Sequence, residues 1–170
     1  HSLSPRIHQT ALSYCHLDGQ YTLFPVSPND QEGLEALMER VRTGELNGLN
    51  VTIPHKQAVL PLLDALTPTA NAVGAVNTIL MQNDQLTGEN TDAPGFLADL
   101  KRLLVSVGKG QPSGRMALIL GAGGAARAVV YALLEDSWQV TVAARREEQS
   151  RGLAAQSPER AASLSCIPYT

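Results

Sequence analysis

Apolar residues return along the first half of the chain at two alternating periods, one helical and one extended. From Pro28 onward Leu34, Leu37, Met38 and Val41 recur every three or four positions, and Gly44 can close that helix in a left-handed conformation. An earlier helix is expected from Ser4-Pro5, a capping hydroxyl followed by a first-turn proline, with PRIHQTALSY continuing it. Residues 21–26 read as a strand, and LNVTI at 49–53 as a second, shorter one. Val59, Leu62, Leu63 and Leu66 predict a helix over about 55–66, which Pro61 kinks or breaks. VNTILM and LTGEN flank QNDQ as a hairpin, and Phe96, Leu97, Leu100, Leu103, Leu104 and Val107 mark an amphipathic helix.

SVGKGQPSG, at 106–114, breaks this alternation with glycine and small polar residues and is the best domain boundary. After it MALIL is a continuous apolar run suited to a parallel strand buried on both faces. GAGGAA, a helix through Leu134 and the strand QVTVAA complete a strand-turn-helix-strand unit, and a last strand-like stretch precedes Thr170. The expected fold class is α/β, with an N-terminal α/β unit over 1–105, a linker over 106–114 and a second, strand-turn-helix-strand unit over 115–170.

A chain of 170 residues, 44% hydrophobic and 17% charged, can bury a core and is not disordered as a whole. The net charge of −3, with acids and bases mixed, gives no footprint for nucleic acid or an anionic membrane. Cys15 and Cys166 have no CxxC or Cys/His spacing, so neither a metal site nor a disulfide framework is expected and a reducing cytoplasm is the default. No apolar run approaches the ~20 residues of a membrane span.

Candidate chemistry gathers at a few loops. Gly121, Gly123 and Ala126 fill a G-x-G-x-x-A pattern that follows a strand and opens a helix, so Gly121, Ala122, Gly123, Gly124, Ala125 and Ala126 are candidate pyrophosphate contacts. The alternative is a tight turn that merely needs small residues. Where an acidic residue would bind the ribose hydroxyl of NAD, Arg145 and Arg146 stand instead, and two guanidiniums suit the 2′-phosphate of NADP. They also suit a solvated helix start balanced by Glu147 and Glu148.

Upstream, Pro54 disfavours helix at Ile53 and makes a sharp corner that projects Thr52, His55 and Lys56 beyond a strand end. Lys56 reads either as a solvated helix-start cation or as a catalytic one. Asp92 reads as a helix cap, as a fixed anion that orients a lysine, or as both. Asn77 is a polar residue in an apolar strand and bonds either a turn or a polar ligand. Ser2 and Ser4 stand at a helix start, where hydroxyls and amides take a carboxylate or simply cap.

HSLSP at 1–5, NVTIPHK at 50–56, GAVNTI at 74–79, NTDAPGF at 90–96 and GAGGAARAV at 121–129 occur in an order that resembles the shikimate dehydrogenase family. That resemblance implies reversible NADPH-dependent reduction of 3-dehydroshikimate to shikimate, in a cleft between an N-terminal substrate-binding domain over 1–105 and a Rossmann-type dinucleotide-binding domain that is only partly present over 115–170. It implies Lys56 and Asp92 as the catalytic pair and Ser2 and Ser4 as holders of the substrate carboxylate. Thr52, Asn77 and Asp92 would read the ring hydroxyls, the glycine turn would cradle pyrophosphate and Arg145 would meet the 2′-phosphate. A cytoplasmic enzyme is implied, with a homodimer left open.

Two departures qualify these expectations. Many members carry Asn-Arg-Thr where this chain has Ala144-Arg145-Arg146, which leaves a second arginine to replace one adenosine-side contact. The chain opens at His1 without methionine and ends at Thr170, and so is expected to be part of a longer protein whose half-built parallel sheet would expose an apolar edge and face. A quinate dehydrogenase using NAD or both cofactors, and a non-catalytic ligand-binding relative, are the alternatives.

Overall fold

Helices and strands are interleaved along the chain, in a computed structural model that describes residues 2–108, 114–145, 152–153 and 162–168. Helices α1 (Ser4–Tyr14) and α2 (Gln31–Arg42) precede strand β1 (Gly48–Asn50), a 3-10 turn at Leu60–Leu62, strand β2 (Ala65–Leu66) and helix α3 (Pro68–Val73). Strands β3 (Thr78–Gln82) and β4 (Gln85–Glu89) lead into α4 (Asp92–Ser106). Then come β5 (Met116–Leu120), α5 (Gly124–Glu135), β6 (Gln139–Ala144) and β7 (Leu164–Pro168).

The expected hairpin is the centre of the first sheet. Asn83 and Asp84 turn β3 back on β4 with φ of 52° and 60°, the paired left-handed geometry that matches strand twist in a two-residue loop. Strand β1 joins β3 antiparallel and β2 joins β4 parallel, giving the order β1-β3-β4-β2. Helix α2 starts at Asp30, whose side chain accepts a hydrogen bond from the Gly33 amide, and ends before Gly44 at φ 77°. Its buried Leu34, Met38 and Val41 pack with Val59, Ala70, Val76, Ile79 and Leu86 as the first core.

Three sequence expectations need correction here, and one helix goes beyond them. The strand expected over 21–26 is irregular, because no neighbouring strand among the described residues pairs with it; side chains hold it instead, Tyr21 stacked on His8 at 4.3 Å and Phe24 beneath the Arg40 guanidinium. The helix expected over 55–66 does not form. Pro61 has no amide to donate four residues back, so the chain makes turns, a single 3-10 turn and then β2, whose Ala65 and Leu66 pair with Thr87 and Gly88. Helix α1 begins at Ser4, so Ser4 is a helical residue and not its cap; the serine hydroxyl that accepts at this end is that of Ser2, from the Ser4 amide at 3.2 Å. Helix α3 is absent from the sequence expectations, although Thr67 as cap, Pro68 in the first turn and Gly74 at φ 64° after the last residue are the ordinary boundary marks.

In the second sheet β5, β6 and β7 are parallel and lie in that order, with α5 crossing between the first two. Its core holds Val130, Leu133, Leu134, Trp138, Val140, Val142 and Leu153, and Phe96, Leu100 and Leu104 of α4 pack against it. Asp136 gathers Lys101 of α4 at 2.7 Å, Arg115 at 2.8 Å and the Trp138 indole at 3.2 Å, and these bonds, Lys101 foremost, hold its carboxyl below its usual pKa. Met116, Leu118 and Leu120 of MALIL are 77%, 60% and 66% exposed while Ala117 and Ile119 face the core, so among the described residues only one face of this strand is covered, as expected of a half-built parallel sheet. Helices α4 and α5 cover one face of β5, and nothing among the described residues covers the other.

Candidate active site

The chain leaves β1 at Asn50 and makes the expected corner through a cis Ile53–Pro54 peptide, but turns rather than a helix follow it. Short-range bonds fix the corner: the His55 amide donates to the Thr52 carbonyl at 2.9 Å, and the Val76 amide donates to the Lys56 carbonyl at 2.8 Å. The backbone of Lys56 is thereby pinned to the entry of β3. Its largely buried side chain, 17% exposed, reaches across so that Nζ lies 2.5 Å from Asp92 Oδ2. With Asp92 about a third exposed the pair is only partly shielded from water, and it attracts somewhat more strongly than a fully exposed surface pair.

Asp92 is the first residue of α4, where a carboxylate is favoured by the helix dipole. Its second oxygen, Oδ1, accepts from Asn77 Nδ2 at 2.9 Å, and Asn77 is tied to the same loop by bonds from Nδ2 to Thr91 Oγ1 and from the Thr91 amide to Oδ1. Both oxygens of Asp92 are therefore engaged and the carboxylate has one orientation. The helix cap anticipated for Asp92 comes from Asn90, whose Oδ1 accepts the Ala93 amide at 3.2 Å while Nδ2 donates to the Ala75 carbonyl at 2.9 Å.

This cluster lines a cleft of about 1310 Å³ whose walls also carry Ser2, Ser4 and Thr52, so all six residues singled out for the catalytic pair and the substrate share one cavity. The irregular segment over 21–26 forms another wall, anchored by the buried His55, whose Nε2 is 2.9 Å from the Val26 carbonyl. The arrangement offers an ammonium, a carboxylate and an amide on one side, with hydroxyls on another. That is a set for binding a small polar molecule and moving a proton on it.

The glycine turn opens α5 beside this cleft. Gly121 has φ 104°, a conformation that favours glycine, and its amide bonds the Ala143 carbonyl at 2.8 Å. A methyl group at Gly121 or Gly123 would meet no atom within 4 Å, so the backbone there faces open space at the N-terminus of a 12-residue helix. Ala122 is buried, Ala125 exposed and Ala126 half-buried. Arg145 is exposed just past β6, and Arg146 lies outside the described residues. Among the described residues no acidic side chain stands at the end of β6, where Ala144 and Arg145 follow one another.

Sequence reasoning projects His55 from the corner without giving it a role, and it does not find Asn90 and Thr91 as contributors to the site. An asparagine two residues before a helical aspartate is itself a capping mark, but Asp92 competes for that role in the sequence and hides it. Among the described residues no group of three His, Cys, Asp or Glu side chains is placed to hold a metal ion. No helix among them is long and apolar enough to cross a membrane.

Residues 1–79 match the shikimate dehydrogenase substrate binding domain. A shikimate dehydrogenase (NADP(+)) of Salinibacter ruber is 47% identical over 157 residues, which are 91% of this chain and 53% of that protein. The chain belongs to the shikimate dehydrogenase family. Two solved structures of the family superpose on nearly all of it. That of the Aquifex aeolicus enzyme, 36% identical, gives a TM-score of 0.83 over 98% of this chain and 58% of its own. That of the Thermus thermophilus enzyme, in complex with NADP(H) and shikimate, is 38% identical with a TM-score of 0.79 over the same shares. The chain thus spans about half the length of the curated relatives it matches.

Proposed function

We propose that this chain carries the catalytic pair and the phosphate-binding turn of an NADP-dependent shikimate dehydrogenase, which reversibly reduces 3-dehydroshikimate to shikimate. The observation that carries the reading is the bonded group Lys56, Asp92 and Asn77 in a cleft also lined by Ser2, Ser4 and Thr52. In this reading residues 1–105 take the substrate, residues 115–170 the nucleotide, and 106–114 connect them. The open backbone at Gly121 and Gly123, the helix N-terminus behind it and the guanidinium of Arg145 fit a dinucleotide with a 2′-phosphate. Ala122, Gly124, Ala125 and Ala126 complete that turn, and Arg146 is proposed as a second 2′-phosphate ligand. A cytoplasmic protein is part of the same reading, which leaves a homodimer open and has no nucleic-acid or membrane partner.

NADPH, when bound, supplies hydride to the carbonyl carbon of the substrate. Ser2 and Ser4 hold the substrate carboxylate, and Thr52 and Asn77 accept and donate to ring hydroxyls. Lys56 directs its ammonium at the carbonyl oxygen, stabilises the negative charge that develops there and gives it the proton that completes the alcohol. Asp92 orients that lysine through Oδ2 and accepts from a neighbouring substrate hydroxyl. In the reverse direction Lys56 takes the hydroxyl proton back.

The test is steady-state oxidation of shikimate by the complete protein, with NADP and NAD as alternative cofactors and quinate as alternative substrate. Lys56→Ala is expected to lower kcat by about 10²-fold or more, the range of a lost general acid. Turnover unchanged in that variant would remove Lys56 from the chemistry, and a higher kcat/KM for quinate would reassign the substrate.

A further inference from the structure

We propose that Gly124 is a positioning residue for the Lys56–Asp92 pair: its missing side chain makes the space in which the stem of Lys56 runs. The proposal rests on the reading of Lys56 as the proton donor. A methyl group at Gly124 would lie 3.2 Å from Lys56 Cβ and 3.3 Å from Cδ, closer than side-chain carbons normally approach. The turn's other glycines behave differently, since the same group at Gly121 or Gly123 would meet nothing within 4 Å. Gly124 therefore lends only its backbone to the turn, while the side on which a Cβ would stand faces the lysine, away from the open space suited to pyrophosphate.

Neither partner of this contact can retreat cheaply. Lys56 Cβ follows its backbone, which the Val76 amide holds through the Lys56 carbonyl. The Cδ atom can move only by turning the stem whose end places Nζ 2.5 Å from Asp92. On the other side, Gly124, Ala128 and Ala132 follow one another at helical spacing along one face of α5. Ala128 and Ala132 are buried against Val73, Ala75 and Ala93, so small residues set a close approach along this seam. An added carbon at its N-terminal end forces either the seam apart or the ammonium off its carboxylate.

Helix propensity alone predicts the opposite outcome, because alanine is a better helix former than glycine and φ at Gly124 is not in the left-handed region. The experiment is Gly124→Ala in the complete protein, read by thermal unfolding, NADP affinity, shikimate kinetics and acetic anhydride labelling of Lys56, with Lys101 as internal reference by peptide mass spectrometry. The expected result is an unlowered melting temperature, NADP affinity within about threefold, kcat reduced about tenfold and Lys56 labelling raised several-fold. Combined with Asp92→Asn, the substitution should cost little beyond the single change, because the two act on one pair. Lys56 labelling and kcat both within twofold of the parent would overturn the proposal, as would a loss of NADP affinity that accounts for the whole loss of rate, or fully multiplicative effects in the double variant. If the parent protein turns over no shikimate but Lys56 labelling still responds, the assigned activity fails and the role of Gly124 in placing the lysine stands.

Discussion

Replacing Asn90 by alanine removes two bonds that no neighbour can restore, since Asn90 is 1% exposed and water cannot reach the groups it serves. Its Nδ2 satisfies the Ala75 carbonyl and its Oδ1 caps α4 through the Ala93 amide. A lost cap costs about 1 kcal/mol. An orphaned buried carbonyl adds about 1–3 kcal/mol. The variant should therefore be destabilised by about 2–4 kcal/mol. Urea unfolding followed by circular dichroism, with m near 2 kcal/mol/M, would show this as a midpoint lowered by about 1–2 M. Asn90→Asp separates the two bonds, because it keeps the acceptor for Ala93 but sets a carboxylate oxygen against the Ala75 carbonyl. It should regain stability on acidification, when the protonated acid can donate. A midpoint for Asn90→Ala within about 0.2 M of the parent would refute the reasoning, since it would mean that neither bond contributes.

Acid should weaken the first sheet through Asp64. Arg42 donates to both of its oxygens and the Leu86 amide bonds one of them, and these bonds hold its pKa at about 2, below the ordinary 3.8. A depressed carboxyl stabilises the fold above the unfolded value and loses that contribution as pH falls from about 4 to 2. Asp64→Asn should flatten the pH dependence of unfolding in that window, and an unchanged acid limb would contradict the assignment. Arg145→Ala should weaken NADP binding about ten- to hundredfold while leaving NAD within about threefold, as measured by titration calorimetry. Equal losses for both cofactors would place the 2′-phosphate elsewhere.

Most of the architecture was legible because it is written in local chemistry. The hairpin at Asn83-Asp84, helix α5 after the glycine turn and helix α2 with its closing Gly44 follow from residues within a few positions of each other. What failed was decided by distant partners. The stretch 55–66 has helical spacing, but Pro61 and the parallel pairing of Ala65–Leu66 with β4 override it. At the site, Lys56, Asp92 and Asn77 stand out because each is an odd residue for its place. Asn90 and Gly124 do not, because each looks like ordinary capping or turn chemistry until the packing is known.

Helix α4 has its first residue in the cleft and its tenth in another network, for Asp92 bonds Lys56 while Lys101 bonds Asp136 beside the second sheet. It is a rigid lever with its two ends in different machines. Nine residues of α-helix span roughly 13 Å, so a tilt of about 5° pivoting at Lys101 swings the carboxylate by about 1 Å. A displacement of that size in a reacting group can change a rate by about 10²-fold. The sheet behind the glycine turn is thus joined through α4 to the carboxylate bonded to Lys56, and substitutions around Asp136 are expected to alter the placement of Asp92 although they lie outside the cleft.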